Sequence, residues 1–203
     1  MSPSLDIQLC EKYPKIFADR FSKPTDSPIA FGIECGDGWY KVIDMLCMAA
    51  SNTYSTGIRI DKEDAAKYGI ESPDDEAGER YYFSVESPQI VASQIKEKFG
   101  SLRFYYRLEF DQRVTELIKS EKYPDLQRIV ENFYVYFDGI VHMAEILSIN
   151  TCEDTGREGE MHVSNNGKNG WYKTLNAEYA KSEPFYVDRN YVPVSMIPKD
   201  QEL

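Results

Sequence analysis

The sequence predicts an α+β fold, with helices packed on a small, mainly antiparallel sheet. Three patterns predict it. Leu126, Ile129, Val130, Phe133, Phe137, Ile140, Val141, Ala144 and Leu147 recur at helical spacing and make one continuous apolar stripe. Trp39, Val42, Ile43, Leu46, Cys47 and Ala50 repeat that spacing over a shorter stretch. Leu102, Phe104, Tyr106 and Leu108 instead alternate with Arg103, Tyr105 and Arg107, the period of two that a half-buried strand requires.

In chain order, residues 5–13 read as a first helix with Ile7, Leu9 and Cys10 turned inward. Pro14, Pro24 and Pro28 punctuate the loop behind it. Phe31 and Ile33 flank Gly32 in a short extended piece. Asp37 then stands where a helix running to Ser51 begins. Its carboxylate suits the free N–H groups and the positive dipole of a first turn. Residues 61–68 suggest a short helix closed by Gly69, followed by a loop crowded with Glu71, Asp74, Asp75, Glu76 and Glu79. Tyr81, Phe83 and Val85 alternate as a strand. Residues 87–98 read as a helix, because Val91 and Ile95 lie four apart with Ile90 beside them and Gly100 offers a stop. The strand at 102–108, a helix at 111–120 and the long helix at 124–149 follow. The stripe of that last helix suits either the core or a dimer seam. Beyond it, Gly156, Gly159, Asn165-Asn166-Gly167 and Asn169-Gly170 predict a hairpin closed by Trp171 and Tyr172. Residues 175–181 add a helical turn, and the tail from Glu183 reads as irregular, with Pro184, Pro193 and Pro198 in it.

A length of 203 residues suits one domain, or one domain with a small appendage. The net charge of −11 repels phosphate backbones, so direct nucleic-acid binding is not expected. The same charge favours encounter with a basic protein surface. The 15 tyrosines outnumber the 10 phenylalanines, which places many rings at the boundary between core and water. No apolar run reaches the ~20 residues of a membrane span, and Met1 to Gln8 does not read as an export signal. A cytoplasmic setting is therefore expected, with Cys10, Cys35, Cys47 and Cys152 as reduced thiols.

Few residues carry a chemical motif. Asp138, His142 and Glu145 share one helix face at i, i+4 and i+7, which suits either a metal-dependent hydrolase or a solvated polar face. His162-Val163-Ser164 matches half of a two-histidine phosphoesterase pattern, but His142-Met143-Ala144 does not supply the other half. Cys35 precedes a helix start, a position that can lower a thiol's pKa, and burial is the alternative. Arg103, Tyr105 and Arg107 suit an anionic or planar ligand such as a signalling nucleotide. Gly32, Gly36 and Gly38 lack the lysine and spacing of a phosphate cradle. No cofactor is expected.

The segment Glu34-Cys35-Gly36-Asp37-Gly38-Trp39-Tyr40, the helix after it, Val91 to Arg103, and Cys10-Glu11-Lys12-Tyr13-Pro14 together resemble a family of small proteins encoded by phages and prophages. Residues 55–79 and 108–125 look like additions to that pattern. In the family the C-terminal part is a zinc ribbon, with a Cys-x-x-Cys pair, a Trp-containing strand, a third Cys and a His three residues later. Here the corresponding positions hold Cys152, Thr155, Asn176 and Tyr179, which is not a zinc ligand set, so no metal is expected there. The resemblance thus implies a core domain over 1–149 with an acidic insertion at 55–79. It also implies a degenerate ribbon-like subdomain over 150–182 and a tail over 183–203. It further implies a phage accessory protein.

Joined to the acidic charge, this leads to the expectation of a non-enzymatic inhibitor of a host defence protein. The expected partner has a basic, nucleic-acid-binding surface, gripped through Asp61, Asp64, Glu71, Asp74, Asp75, Glu76 and Glu79. The alternatives are a hydrolase using His142 with Asp138 or Glu145, and a nucleotide sponge using Arg103, Tyr105 and Arg107.

Overall fold

The computed structural model of the chain describes residues 1–71, 80–164 and 170–197. Helices and small antiparallel sheets alternate, so the fold is α+β. Among the described residues the strands do not form one sheet but two strand pairs and one three-stranded sheet.

Helix α1 (Pro3–Lys12) buries Leu9 and Cys10, but Ile7 is 46% exposed rather than turned inward. Pro28–Phe31 forms a 3-10 turn and not an extended piece, with Gly32 at φ +105° behind it. Helix α2 (Tyr40–Ala50) buries the apolar face expected of it: Val42, Ile43, Leu46, Cys47 and Ala50, with Trp39 buried just before it. Asp37 does not cap it. Its carboxylate accepts the Ser2 backbone N–H at 2.5 Å, and a 3-10 turn over Asp37–Trp39 leads into the helix.

Residues 89–98 are a strand, not a helix. Strand β3 (Gln89–Lys98) pairs antiparallel with β4 (Ser101–Glu109) through a two-residue turn, Phe99-Gly100, both at positive φ. That turn geometry matches the twist of the flanking strands. The alternation in β3 is hidden because the register slips between Ala92 and Gln94. Ile90 and Ala92 are buried before this bulge and Ile95 after it, so the extra residue sets Ala92 and Ile95 three apart on one face, while Val91, four before Ile95, is buried on the other.

Strand β1 (Ser55–Ile60) pairs antiparallel with β2 (Tyr81–Glu86), and helix α3 (Lys62–Tyr68) follows β1. Asp61 caps α3 by accepting the Asp64 N–H, and Gly69 closes it in the left-handed conformation. Helix α4 (Gln112–Ser120) leads to α5 (Pro124–Ser148), 25 residues long and roughly 37 Å from end to end.

Helix α5 is shared by two cores. One joins α1, α2, β3 and β4 to Phe137, Val141 and Ala144. The other joins Ile58, Ile60, Ala65, Phe83, Val85, Val114 and Leu117 to Leu126 and Phe133. The segments 55–79 and 108–125, which look like separate additions, therefore contribute to the same second core. Polar contacts reinforce the union: Tyr123 donates its hydroxyl to Asp64 at 2.6 Å, and Lys67 meets Glu116 at 2.9 Å.

The C-terminal part is more ordered than its prolines suggest. Strands β5 (Glu160–Val163) and β6 (Tyr172–Leu175) form the expected hairpin, and β7 (Val192–Pro193) adds to its β5 edge. Helices α6 (Ala177–Ser182) and α7 (Pro184–Asp188) complete a small cluster of Cys152, Leu175, Ala180 and Tyr186, with Tyr179 and Tyr191 against it. The cluster is bolted to the start of α2. Glu153 accepts the Gly36 N–H on its side chain (2.9 Å) and the Gly38 N–H on its carbonyl (2.7 Å), and the Trp39 indole donates to the Thr151 carbonyl (2.8 Å).

Candidate functional site

Helices α2 and α5 run antiparallel: Trp39, before α2, bonds to Thr151 beyond the end of α5, while the Tyr54 ring, after α2, lies tilted 5.1 Å from that of Phe133 in its N-terminal half. Each helix buries one flank. The flank of each that faces the other across the surface stays open. Between them lies an apolar groove of ≈ 400 Å³. Val42, Leu46 and Ala49 line its α2 wall, and Tyr136, Ile140, Ala144 and Leu147 its α5 wall. Two of the lining residues are exposed methionines: Met45 is 47% exposed and Met143 58%. Ile146 and Val135 continue the apolar surface around α5. Contiguous exposed apolar surface of this kind marks a contact site in soluble domains.

Gly139 sits within this groove, in the middle of a 25-residue helix. A Cβ added there would meet nothing among the described residues within 4 Å. Glycine inside a helix costs roughly 1 kcal/mol relative to alanine. Among the described residues nothing requires it, and it is exposed at the edge of the groove.

The flank of α5 away from the groove, on the β4 side, is acidic. Glu131 and Asp138 are exposed, and Asp138 accepts the Tyr106 hydroxyl at 2.5 Å. Glu145 lies 3.7 Å from Arg103. His142 is exposed between them, but the two carboxylates are engaged by different partners rather than converging on it. Among the described residues no group of three His, Cys, Asp or Glu side chains is placed to hold a metal ion.

The other residues singled out in the sequence are dispersed. Arg103 donates to the Leu102 carbonyl as well as facing Glu145. Arg107 is held by Asp19 and Glu109, at 2.5 and 2.6 Å, and Tyr105 lies under the Lys96 ammonium. The two arginines are thus neutralised within the fold and do not form an anion pocket. Asp64 is buried, bonded to Tyr123 and Lys122, so it stabilises the second core and faces no partner. Asp61 caps α3, and Glu71 is exposed. Asp74, Asp75, Glu76 and Glu79 lie outside the described residues.

Cys35 is buried, and burial pushes its thiol up to about 12, so the helix start does not activate it. His162 is buried, its Nδ1–H donating to the Glu160 carbonyl at 2.9 Å. Cys152 is fully buried in the aromatic cluster. Asn176 caps α6, Thr155 accepts the Arg157 N–H, and Tyr179 packs on Tyr186.

The groove was missed in the sequence although a signal for it exists. Met45 and Met48 are apolar residues on α2 outside its core-facing set. On α5, Val135, Met143 and Ile146 widen the stripe well beyond the arc that one core needs. The chain matches no family model, no curated protein and no solved structure.

Proposed function

We propose that this chain is a non-enzymatic binding protein that grips another protein through the α2–α5 groove. In this role it would be a phage or prophage accessory protein that inhibits a host defence component with a basic surface. The observation that carries the proposal is the methionine-rimmed groove itself, apolar and open on a chain of net charge −11. Methionine is flexible and polarisable, which suits it to a contact surface that adapts to its target. The acidic surface would speed the encounter and select against acidic competitors. The engaged carboxylates around His142 and the neutralised Arg107 lend no support to the hydrolase or the nucleotide sponge.

The test is affinity capture from host cells with wild type and Met143→Lys in parallel, reading the captured proteins by mass spectrometry. Met143 is exposed, so the substitution leaves folding stability within about 0.5 kcal/mol. A basic protein held by wild type and lost by the variant is the expected result. Equal capture by both would remove the groove from the function. Substrate turnover by the purified chain would remove the binding reading altogether.

A further inference from the structure

We infer that the exposed edge of β1 is a self-association surface. A second copy of this chain adds its own β1 there, antiparallel about Gly57, so that β1 and β2 of the two copies make one continuous sheet. The inference is independent of the groove and of the binding role proposed above.

The register fixes which groups of β1 are left over. β1 pairs with β2 from Ser55↔Glu86 to Ile60↔Tyr81 without a bulge, and one step beyond the Ser87 N–H donates to the Tyr54 carbonyl at 2.8 Å. Bonded and non-bonded positions alternate in an antiparallel pair. Thr56, Ile58 and Ile60 therefore bond to β2, whereas the N–H and C=O groups of Ser55, Gly57 and Arg59 point away from it. These three residues are exposed, and among the described residues nothing bonds to those groups. At other strand edges the chain supplies its own partner. Glu34 bonds to Ile95 and Glu97 of β3, the Ser148 hydroxyl accepts the Leu102 N–H of β4, and the Glu153 N–H reaches the Thr174 carbonyl of β6. The β1 edge also lacks proline, lysine and a bulge, the usual devices that keep an edge from pairing.

Symmetry and charge select a second copy as the occupant. Gly57 lies midway between Ser55 and Arg59, so a two-fold axis through it sets Gly57 against Gly57 and Ser55 against Arg59 of the other copy. Every open N–H then faces an open C=O, for about six main-chain hydrogen bonds. No side chain stands at the axis. An added Cβ at Gly57 would meet only the Phe83 carbonyl, at 3.8 Å, so no described residue requires glycine there; close approach of another backbone does. On the outer face of the joined sheet one row runs Tyr82, Arg59, then Ser55 and Glu86 of the other copy. Arg59 and Glu86 are exposed, and Arg59 has no ion pair among the described residues. Ser55 is short and two strand spacings are about 10 Å, so the Arg59 guanidinium reaches over it to the Glu86 carboxylate. The axis repeats this pair and sets each arginine opposite a serine rather than the other arginine. These contacts oppose the general repulsion between two chains of net charge −11. An unrelated extended peptide satisfies the same main-chain groups but need bring no carboxylate to that row.

The experiment follows the whole ¹⁵N-labelled chain by sedimentation and amide hydrogen exchange from about 10 µM to about 1 mM, a range that suits a small interface. The expected result is a dimer whose share grows with concentration. In step with it, exchange at the Ser55, Gly57 and Arg59 amides should slow roughly tenfold or more, while the Thr56, Ile58 and Ile60 amides, already bonded to β2, change little. Gly57→Pro removes the central donor without touching a bond to β2 and should abolish the dimer. Arg59→Glu should weaken the dimer roughly tenfold, and Arg59→Glu combined with Glu86→Arg should restore most of that loss. Circular dichroism establishes that each variant is folded, and the charge exchange alone suffices if Gly57→Pro is not.

A chain that stays monomeric over the whole range would overturn the inference. So would a dimer in which the Ser55, Gly57 and Arg59 amides exchange as fast as in the monomer, since the copies then meet elsewhere. Protection of those amides that is equal at every concentration would overturn it too, because the chain would itself be covering the edge. A dimer that survives a folded Gly57→Pro, or a double exchange no better than Arg59→Glu alone, would defeat the pairing about Gly57. None of these outcomes bears on Met143-dependent capture, so the binding role stands or falls by its own test.

Discussion

Glycine is used for opposite reasons at two places on the same helix pair. Where the C-terminal cluster meets the start of α2, Gly36 and Gly38 are pressed against the chain. An added Cβ at Gly38 would collide with the Cys152 carbonyl and the Gly156 N–H, and one at Gly36 with the Glu153 carbonyl. At Gly139 an added Cβ would meet nothing among the described residues. The first region is a finished joint, in which backbone contacts backbone and the hydrogen bonds of Glu153 and Trp39 are all made inside the molecule. The second is an unfinished one. The difference teaches that a glycine required by the fold shows itself by what surrounds it, and that one surrounded by nothing directs attention outside the chain.

Gly38→Ala should produce the largest effect, because the obstructing atoms belong to backbone and cannot swing away. A loss of roughly 4 kcal/mol is expected, read as a large fall in the midpoint of thermal or urea unfolding. A loss under about 1 kcal/mol would show that the joint is slacker than its geometry.

Lys173→Met should follow at roughly 3 kcal/mol, because it leaves the Glu153 carboxylate buried without its counter-charge at 2.7 Å. This effect depends on pH. Burial holds the Glu153 carboxyl above its ordinary value, against the pull of Lys173, and removing Lys173 raises it further. A group whose folded pKa is raised stabilises below its unfolded pKa and loses that contribution as pH rises through the folded value. The variant should therefore sit closer to wild type at pH 4 than at pH 8. A gap that narrows towards pH 8 would contradict the pairing.

Gly139→Ala should move stability the other way, by a gain of 0.5–1 kcal/mol from helix propensity alone. Paired with Gly38→Ala, it is the sharpest form of the comparison: one methyl group, two positions, opposite signs. A loss at Gly139 would mean that something in the chain already occupies the space.

Arg107→Ala should change stability by no more than about 0.5 kcal/mol, since its ion pairs with Asp19 and Glu109 are exposed. No nucleotide should shift its melting differently from that of wild type. A nucleotide-dependent shift lost in the variant would restore the anion site that these ion pairs argue against.

Much of the fold was legible in the sequence because period and punctuation agreed. The stripe from Leu126 onward, the Asp61 and Gly69 ends of α3, and the alternation from Leu102 to Leu108 each carry two signals that point the same way. The failures have physical causes. One bulged residue near Ser93 turned a strand pattern into a helical one, and Gly100 served a hairpin turn as readily as a helix end. Asp37 had the chemistry of a cap but found the Ser2 N–H instead, a contact 35 residues away that no local pattern encodes. Charge misled differently. Counting acidic residues pointed to 61–79, yet Asp64 is committed to Tyr123 and Lys122. The groove needed two helices to be placed side by side before its methionines became one surface.

The second core has a consequence for how such a chain can be shortened. Its walls come from residues 55–70, 81–85 and 108–126, so excising the first stretch alone would leave Val114, Leu117 and Phe133 facing water. Trimming has to be concerted, with all three stretches and the leading turns of the long helix removed in one step. A minimal version that keeps the groove would begin its long helix near Phe133, and anything between that and the full chain should be sticky and short-lived.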